Sequence, residues 1–316
     1  MKILITGGAG FIGTHLACHL ARNPEHSIVV LDNLYRGSRK GLGDIDFVCG
    51  DIRDRAVLTD LVGGVDVIFH LAAQSNVIGA TQDLDYSFST NVVGTFNVLT
   101  AAQQAGCKKV IVASSREVYG EKKCFPVRET AELEPKNAYG VSKMVGEAYC
   151  GVFRSAGLPI TILRLANVYG TGDRGRVIPI FVDNALRGEP LVLYGGDQVL
   201  DFVWLDTVIE ALERVLAADA IEDPVNIGSG IGIPVRELAQ IVIQQTGSSS
   251  PIVEAPRRAC ETRGFIADIR QAIQLGLIGR PESRLQHLDY VIRDCRVRLN
   301  EAGRLRQTLD ESLPVR

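Results

Sequence analysis

A disulfide framework or a cysteine metal site has little to start from in this chain: its seven cysteines are odd in number and contain no Cys-x-x-Cys pair. Several fall inside strand or helix patterns, so reduced thiols are expected. His15, Cys18, His19 and His26 lie close in sequence, but three of them fall along one predicted helix and no second group of ligands accompanies them. They read as packing and helix-surface residues, and no metal is expected. No apolar run approaches the length of a membrane span, and no cationic segment with an apolar stretch precedes the first predicted strand. A cytoplasmic protein with no membrane partner is therefore expected. Charge of one sign is missing too, since 34 basic and 37 acidic residues leave a net charge of −3. Nucleic acid is not expected as a partner, and any anionic ligand has to be held locally.

What is present begins with "KILITGGAGFIGTHLACHL", residues 2 to 20. Lys2 to Thr6 is too short for a core helix and apolar enough for a buried strand, while Phe11, Leu16 and Leu20 recur at helical spacing. The glycines between them sit at a strand-to-helix joint. There the free N–H groups of the first helical turn and the positive end of the helix dipole face a ligand phosphate. Gly7, Gly10 and Gly13, with Gly8 as an alternative first member, space the turn for close backbone approach, and Phe11 and Ile12 open the helix. A second strand, Ser27 to Leu31, ends at Asp32, nineteen residues after Gly13. A dinucleotide site needs a carboxylate at that place to accept from the adenosine ribose hydroxyls.

At 316 residues, 46% of them hydrophobic, the chain is long enough for about two domains with real cores. Further strands are predicted over Asp46 to Cys49, Val65 to Leu71, Lys109 to Ser114 and Pro159 to Leu165. Helices are predicted from about Arg53 to Leu61, through Phe88, Val92, Phe96 and Leu99, and from about Ala138 to Ala156. Strands alternating with helices imply an α/β fold, a doubly wound parallel (Rossmann) sheet covered on both faces. Past about residue 167 glycine and proline break the alternation. Residues 1–166 are read as the dinucleotide-binding domain and 167–316 as a smaller substrate lobe, with segments near 200–230 packing back onto the first. No repeat or low-complexity linker separates them, so a shared cleft is expected. The charged stretch Arg284 to Arg316 reads as a solvated surface helix.

"AYGVSK" puts Tyr139 and Lys143 four residues apart, about 6 Å along one helix face. A phenol with an ordinary pKa of about 10 is a poor base at neutral pH, but a nearby ammonium and an oxidised nicotinamide both favour its phenolate. Ser115, in "ASSREVYG" at the carboxyl end of the preceding strand, is placed to reach the same cleft. A serine hydroxyl there can donate to a substrate oxygen or relay its proton, as a hydride-transfer site requires.

"TGGAGFIG", "LDNL", "GDIRD", "HLAA", "NVVGT", "SSREVYG", "YGVSK", "LRLANVYG" and "VNIGSG" follow one another in this order. In them the chain resembles the extended short-chain dehydrogenase/reductases, specifically the nucleotide-sugar epimerases and dehydratases, over roughly residues 2 to 280. The resemblance implies that Tyr139 is the catalytic base, that Lys143 holds the nicotinamide ribose and depresses the tyrosine pKa, and that Ser115 binds the reacting sugar oxygen. It gives the adenosine ribose to Asp32, the adenine to Asp51 with Ile52, and the cofactor cleft to Leu71, Ala72 and Ala73. Asn33 and Arg36 follow Asp32, and an arginine there could meet a ribose 2′-phosphate. Asp32 would repel that phosphate, so NAD is the expected cofactor. Asn167 and Arg258 match residues that reach the sugar-nucleotide diphosphate, and Val192 and Tyr194 lie in the segment beside the base. Leu200 stands where an arginine usually precedes the Asp-Phe pair; Arg174, Arg176 or Arg263 could compensate, or the substrate could differ.

Glu117 leaves the reaction open. Dehydratases and decarboxylases that the chain resembles carry a Glu there, but dehydratases commonly place an Asp just before it to protonate the leaving hydroxyl. Arg116 cannot be that acid, since its proton does not leave near neutral pH. The first expectation is therefore NAD-dependent 4-epimerisation of a nucleotide sugar, UDP-hexose by resemblance, through a 4-keto intermediate. The alternatives are a 4,6-dehydratase or decarboxylase using Glu117, a sugar reductase, or an NAD-binding regulatory module without turnover. The resemblance also implies a homodimer built on helices that include the one carrying Tyr139.

Overall fold

β1 (Lys2–Thr6) forms the middle of a parallel sheet because its four residues from Ile3 to Thr6 are buried on both faces, as a strand covered by helices on either side must be. The computed structural model of the chain describes residues 1–279 and 284–312, with side chains to residue 301. β1 leads through the glycine turn to α1 (Phe11–Leu20), then β2 (Ser27–Asp32), β3 (Asp46–Cys49), α2 (Arg55–Val62) and β4 (Val67–His70). α3 (Val77–Gln82), α4 (Leu84–Phe88) and α5 (Thr95–Gln104) precede β5 (Lys109–Ser115), α6 (Ala138–Ser155) and β6 (Ile160–Leu165). β7 (Asn167–Tyr169), α7 (Val177–Arg187), β8 (Leu191–Tyr194), β9 (Val199–Trp204) and α8 (Leu205–Ala217) follow. The remainder is β10 (Val225–Ile227), β11 (Gly232–Pro234), α9 (Val235–Thr246), β12 (Ile252–Ala255), β13 (Gly264–Phe265), α10 (Arg270–Gln274) and α11 (Leu288–Ser312).

Seven strands run in the order β10-β6-β5-β4-β1-β2-β3 and all their pairings are parallel, which is the expected doubly wound Rossmann sheet. Its two faces are closed by separate apolar clusters. One joins α1 and α8 to Ile3, Ile5 and Phe69, and the other joins α2, α5 and α6 to Leu4, Ile68 and Val110. A third cluster, around Phe181, Leu193, Phe202 and Leu238, belongs to the later elements and their small sheets, β11-β9-β13 with β7 on β9, and β12-β8. β10 crosses back from this later part of the chain to extend the large sheet.

Capping explains several helix starts. The Asp54 carboxylate accepts from Ala56 N at 2.9 Å, so α2 begins at Arg55 rather than Arg53. Asn137 accepts from Gly140 N at 2.8 Å and fixes the first turn of α6, which carries Tyr139.

Two predicted elements differ. The helix read through Phe88 to Leu99 is interrupted by a π-helical segment, Ser89–Gly94, between α4 and α5. The wider turn rotates Phe88 away from the core, so it is 59% exposed while Val92 and Leu99 are buried. The C-terminal stretch is not a solvated helix on all sides: Leu288, Val291, Ile292 and Cys295 of α11 are buried in the third cluster, against α7. Charge between these positions hides their helical spacing from a reading by composition.

Candidate active site

A cleft of about 1490 Å³ opens at the carboxyl ends of the β1, β2, β4 and β5 strands, with residues of β7, β8 and the 172–178 and 258–262 segments opposite. The residues singled out above as candidates for the site line it, except Gly8 and Arg263.

At the cofactor end, Gly7 has a φ of +72°, and a Cβ on it would stand 2.6 Å from Ala72 N. A Cβ on Gly13 would stand 2.3 Å from Gly7 O, so these two glycines let β1, the turn and α1 pack on one another. Gly10 is the N-cap of α1; no side chain caps this end and no acidic residue lies in its first turn. The amides there are arranged for an anion. Asp32 is held beside the turn, its carboxylate accepting from Ala9 N at 3.0 Å and Leu34 N at 2.8 Å. Burial raises its pKa, while those two backbone hydrogen bonds lower it.

Asp51 lies further along. Its paired hydrogen bonds from Arg53, helped by Asn33 Nδ2 at 2.9 Å, hold its carboxyl down to about 2. Arg53 also lies 4.9 Å over the Tyr86 ring, which stacks at 4.4 Å on Tyr35. Ile52 is buried beneath, and Leu71 and Ala72 line the wall where β4 ends. A carboxylate beside an uncapped helix start, and an aromatic and apolar slot beyond it, fit a dinucleotide. Arg36 turns toward the other side of the cleft, its guanidinium beside Gly175 and its charge acting on Asp173.

At the other end, Ser115 closes β5 and its hydroxyl faces Tyr139 closely enough to lower the phenol's pKa. Ser115 Oγ also accepts from Glu117 N at 3.2 Å, which fixes its rotamer. Lys143 donates to Ala113 O at 2.7 Å and sits 6.0 Å from the Tyr139 ring centre. The expected depression of the tyrosine by Lys143 meets an opposing effect in the chain itself. Burial pushes Tyr139 up to about 12; the hydrogen bond from Ser115 and the charges of Arg176 and Arg116 oppose this, and Glu117 adds to it. Lys143 is aimed at a carbonyl rather than at the phenol. Burial brings Lys143 itself down to about 8, against the opposing influence of Cys150 and Glu147.

Several partners have no signal in the sequence. Arg116 Nη2 meets Glu117 Oε1 at 2.6 Å, and Asn137 Nδ2 donates to Glu117 Oε2 at 2.8 Å. Arg176 pairs with the buried Asp173 at 2.6 Å and lies 5.3 Å over the Phe11 ring. Behind Tyr139, Asn91 of the π-helical segment donates to Ser142 Oγ at 2.9 Å, and Ser142 donates to Tyr139 O at 2.8 Å. On the opposite wall Asn167 Nδ2 donates to Asp201 O at 2.9 Å, and Arg258 stacks 3.5 Å over Tyr194, with Val192 on the same strand. Leu200 lines the same wall and brings no charge to it. Among the described residues no cluster of three His, Cys, Asp or Glu side chains could hold a metal, and no helix is long and apolar enough to cross a membrane.

A Rossmann sheet whose cleft joins an uncapped glycine turn to a serine, tyrosine and lysine defines the class of dinucleotide-dependent enzymes. The chain belongs to the NAD dependent epimerase/dehydratase family, whose model matches residues 3–228. It is 36% identical over 284 residues to a putative UDP-glucose 4-epimerase of Methanocaldococcus jannaschii, covering 87% of this chain and 92% of that one. It is 37% identical over 282 residues to a UDP-N-acetyl-alpha-D-glucosaminuronate decarboxylase of Bacillus cytotoxicus, covering 84% and 86%. Its fold superposes on UDP-glucose 4-epimerase of Thermotoga maritima, solved with UDP-glucose, at a TM-score of 0.89 and 33% identity, over 95% of this chain and 100% of that one. The cofactor is the family's NAD, and the chain is one of its nucleotide-sugar epimerases, dehydratases and decarboxylases.

Proposed function

We propose that the protein inverts C4 of a UDP-hexose through a 4-keto intermediate, with NAD as a cofactor that is unchanged overall. The reading is carried by one observation: Tyr139 meets Ser115 in the cleft, while Arg116, which cannot release a proton, occupies the place a leaving-group acid would need. Residues 1–166 act as the cofactor half and 167–316 as the substrate half.

Bound NAD supplies the hydride acceptor at C4 and the donor that restores it. Gly10, Phe11, Ile12 and Gly13 present backbone amides to its pyrophosphate, Asp32 accepts from a ribose, and Asp51, Ile52 and Tyr86 enclose the adenine. Ser115 donates to the sugar O4, Tyr139 takes the hydroxyl proton, and Arg176 and Arg116 favour the phenolate. When hydride returns to the opposite face, Tyr139 gives the proton back. Arg258, stacked on Tyr194, and Asn167 hold the diphosphate; with Leu200 neutral, Arg176 supplies the second cation. NAD rather than NADP is favoured by Asp32 and by the turn of Arg36 toward Gly175.

A second reading, decarboxylation or dehydration at the same ketone, is favoured by Glu117 in the cleft and by the kinship with a decarboxylase. Incubation with NAD and a panel of UDP-, dTDP-, GDP- and CDP-sugars, followed by proton NMR, decides between them. Interconversion of UDP-glucose and UDP-galactose is expected. Loss of carbon dioxide from a UDP-uronate or of water from a dTDP-hexose, without inversion of either UDP-hexose, overturns the first reading.

A further inference from the structure

Glu117 is a carboxylate in the wrong place for an epimerase. A ketone at C4 acidifies the neighbouring C5–H bond. A free carboxylate in reach would take that proton, its electron pair passing into a C4=C5 bond and the charge onto the C4 oxygen. Reprotonation from solvent would then restore C5 with no memory of the original hydrogen. A C4 epimerase that keeps a glutamate in its cleft has to prevent this.

The structure contains a device suited to that task. Arg116 and Glu117 stand on the short turn Arg116–Tyr119 that leaves Ser115, and their side chains are only 13% and 7% exposed. One guanidinium nitrogen of Arg116 holds Glu117 Oε1 at 2.6 Å, and another donates to Thr262 Oγ1 at 2.9 Å. The guanidinium also lies 5.9 Å over the Phe265 ring. Glu117 Oε2 accepts from Asn137 Nδ2, which in turn donates to Cys260 O at 3.1 Å. Both carboxylate oxygens are engaged, both partners are anchored to the 260–265 segment, and Asn137 also caps α6. Accepting a proton from carbon would neutralise Glu117 and with it the ion pair to Arg116, in a site largely shielded from water, where charge-assisted hydrogen bonds are strongest.

We propose that Arg116 is a specificity-determining positioning residue: it holds Glu117 out of proton transfer, so that the sugar keeps its C5 hydrogen while C4 is inverted. The proposal rests on the 4-epimerase reading of the same site.

The test compares the wild-type protein, Arg116→Ser, Arg116→Gln, Arg116→Lys and the double variant Arg116→Ser/Glu117→Gln, each with NAD and UDP-glucose or UDP-galactose in deuterium oxide. Proton NMR and mass spectrometry of the recovered sugar nucleotides give C5 deuterium per C4 inversion, a ratio that a smaller fraction of folded enzyme does not move, and the double variant separates exchange through Glu117 from a longer-lived ketone. The wild type should carry no solvent deuterium at C5. Arg116→Ser should bring the ratio to about tenfold or more above the smallest deuteration the measurement resolves, the scale at which one charged hydrogen bond acts. Arg116→Lys, which keeps the cation, should bring it most of the way back, and the double variant should return it to the wild-type value. Should the serine variant not fold, the glutamine variant, neutral but still able to donate to Thr262, carries the same expectation. Neutral variants that invert C4 with C5 still fully protonated overturn the role of Arg116 and leave the 4-epimerase reading standing. A wild-type protein that inverts C4 while exchanging C5 by itself likewise overturns only the role of Arg116, and one that inverts neither sugar overturns both.

Discussion

At the scale of single residues, Tyr139 and Lys143 are both buried, and the charge of Lys143 is unfavourable to the fold. Lys143 keeps its proton to about 10.5 when solvated but gives it up near 8 in the folded chain. Between those values the unfolded state binds the extra proton, so stability rises with pH across that window, and at pH 7 the buried ammonium costs about 3 kcal/mol. Lys143→Met also loses the hydrogen bond to Ala113 O, worth about 1 kcal/mol. It should therefore be about 2 kcal/mol more stable than the wild type at pH 7 in cofactor-free urea titrations, with the difference narrowing from pH 8 to 10.5. Tyr139→Phe should keep NAD binding by calorimetry and lose at least about a hundredfold in turnover. Near-native turnover would remove the phenol from the chemistry.

Among the elements, α11 shows how charge can mask an amphipathic helix. Ile292 is 4% exposed and Val297, on the same helix, is 58% exposed. Ile292→Ala should cost about 2–5 kcal/mol in denaturant unfolding, as large-to-small changes in a core do, whereas Val297→Ala should stay within about 0.5 kcal/mol. Equal, small effects would mean that α11 does not pack as described. The π-helical segment carries the opposite lesson. Its wide turn is invisible in the spacing of apolar residues, and it sets Asn91 against Ser142 and the Gln74 backbone, where a regular helix would have turned it elsewhere.

Considered as a whole, the molecule leaves Leu84, Phe88, Tyr149 and Val152 at least 36% exposed on α4 and α6, helices that pack side by side. This apolar surface supports the homodimer expected from the resemblance, with a second copy covering the face. Phe88→Glu with Val152→Glu should convert a dimer to a monomer in light scattering after gel filtration, with the sheet intact by circular dichroism. A wild-type protein that runs as a monomer at micromolar concentration would exclude this assembly.

The sequence by itself determined the parallel sheet, the glycine turn with Asp32 after it, and the Tyr139–Lys143 face beside Ser115. These depend on local periodicity and on contacts between near neighbours, which spacing records. The three-dimensional arrangement decided what side chains do across long separations: the hold of Arg116 and Asn137 on Glu117, the turn of Arg36 toward Gly175, and the approach of Arg176 to Phe11 and Tyr139. It also decided the burial that raises the tyrosine against the nearby cations, because burial is a property of the packed chain and has no period in the sequence.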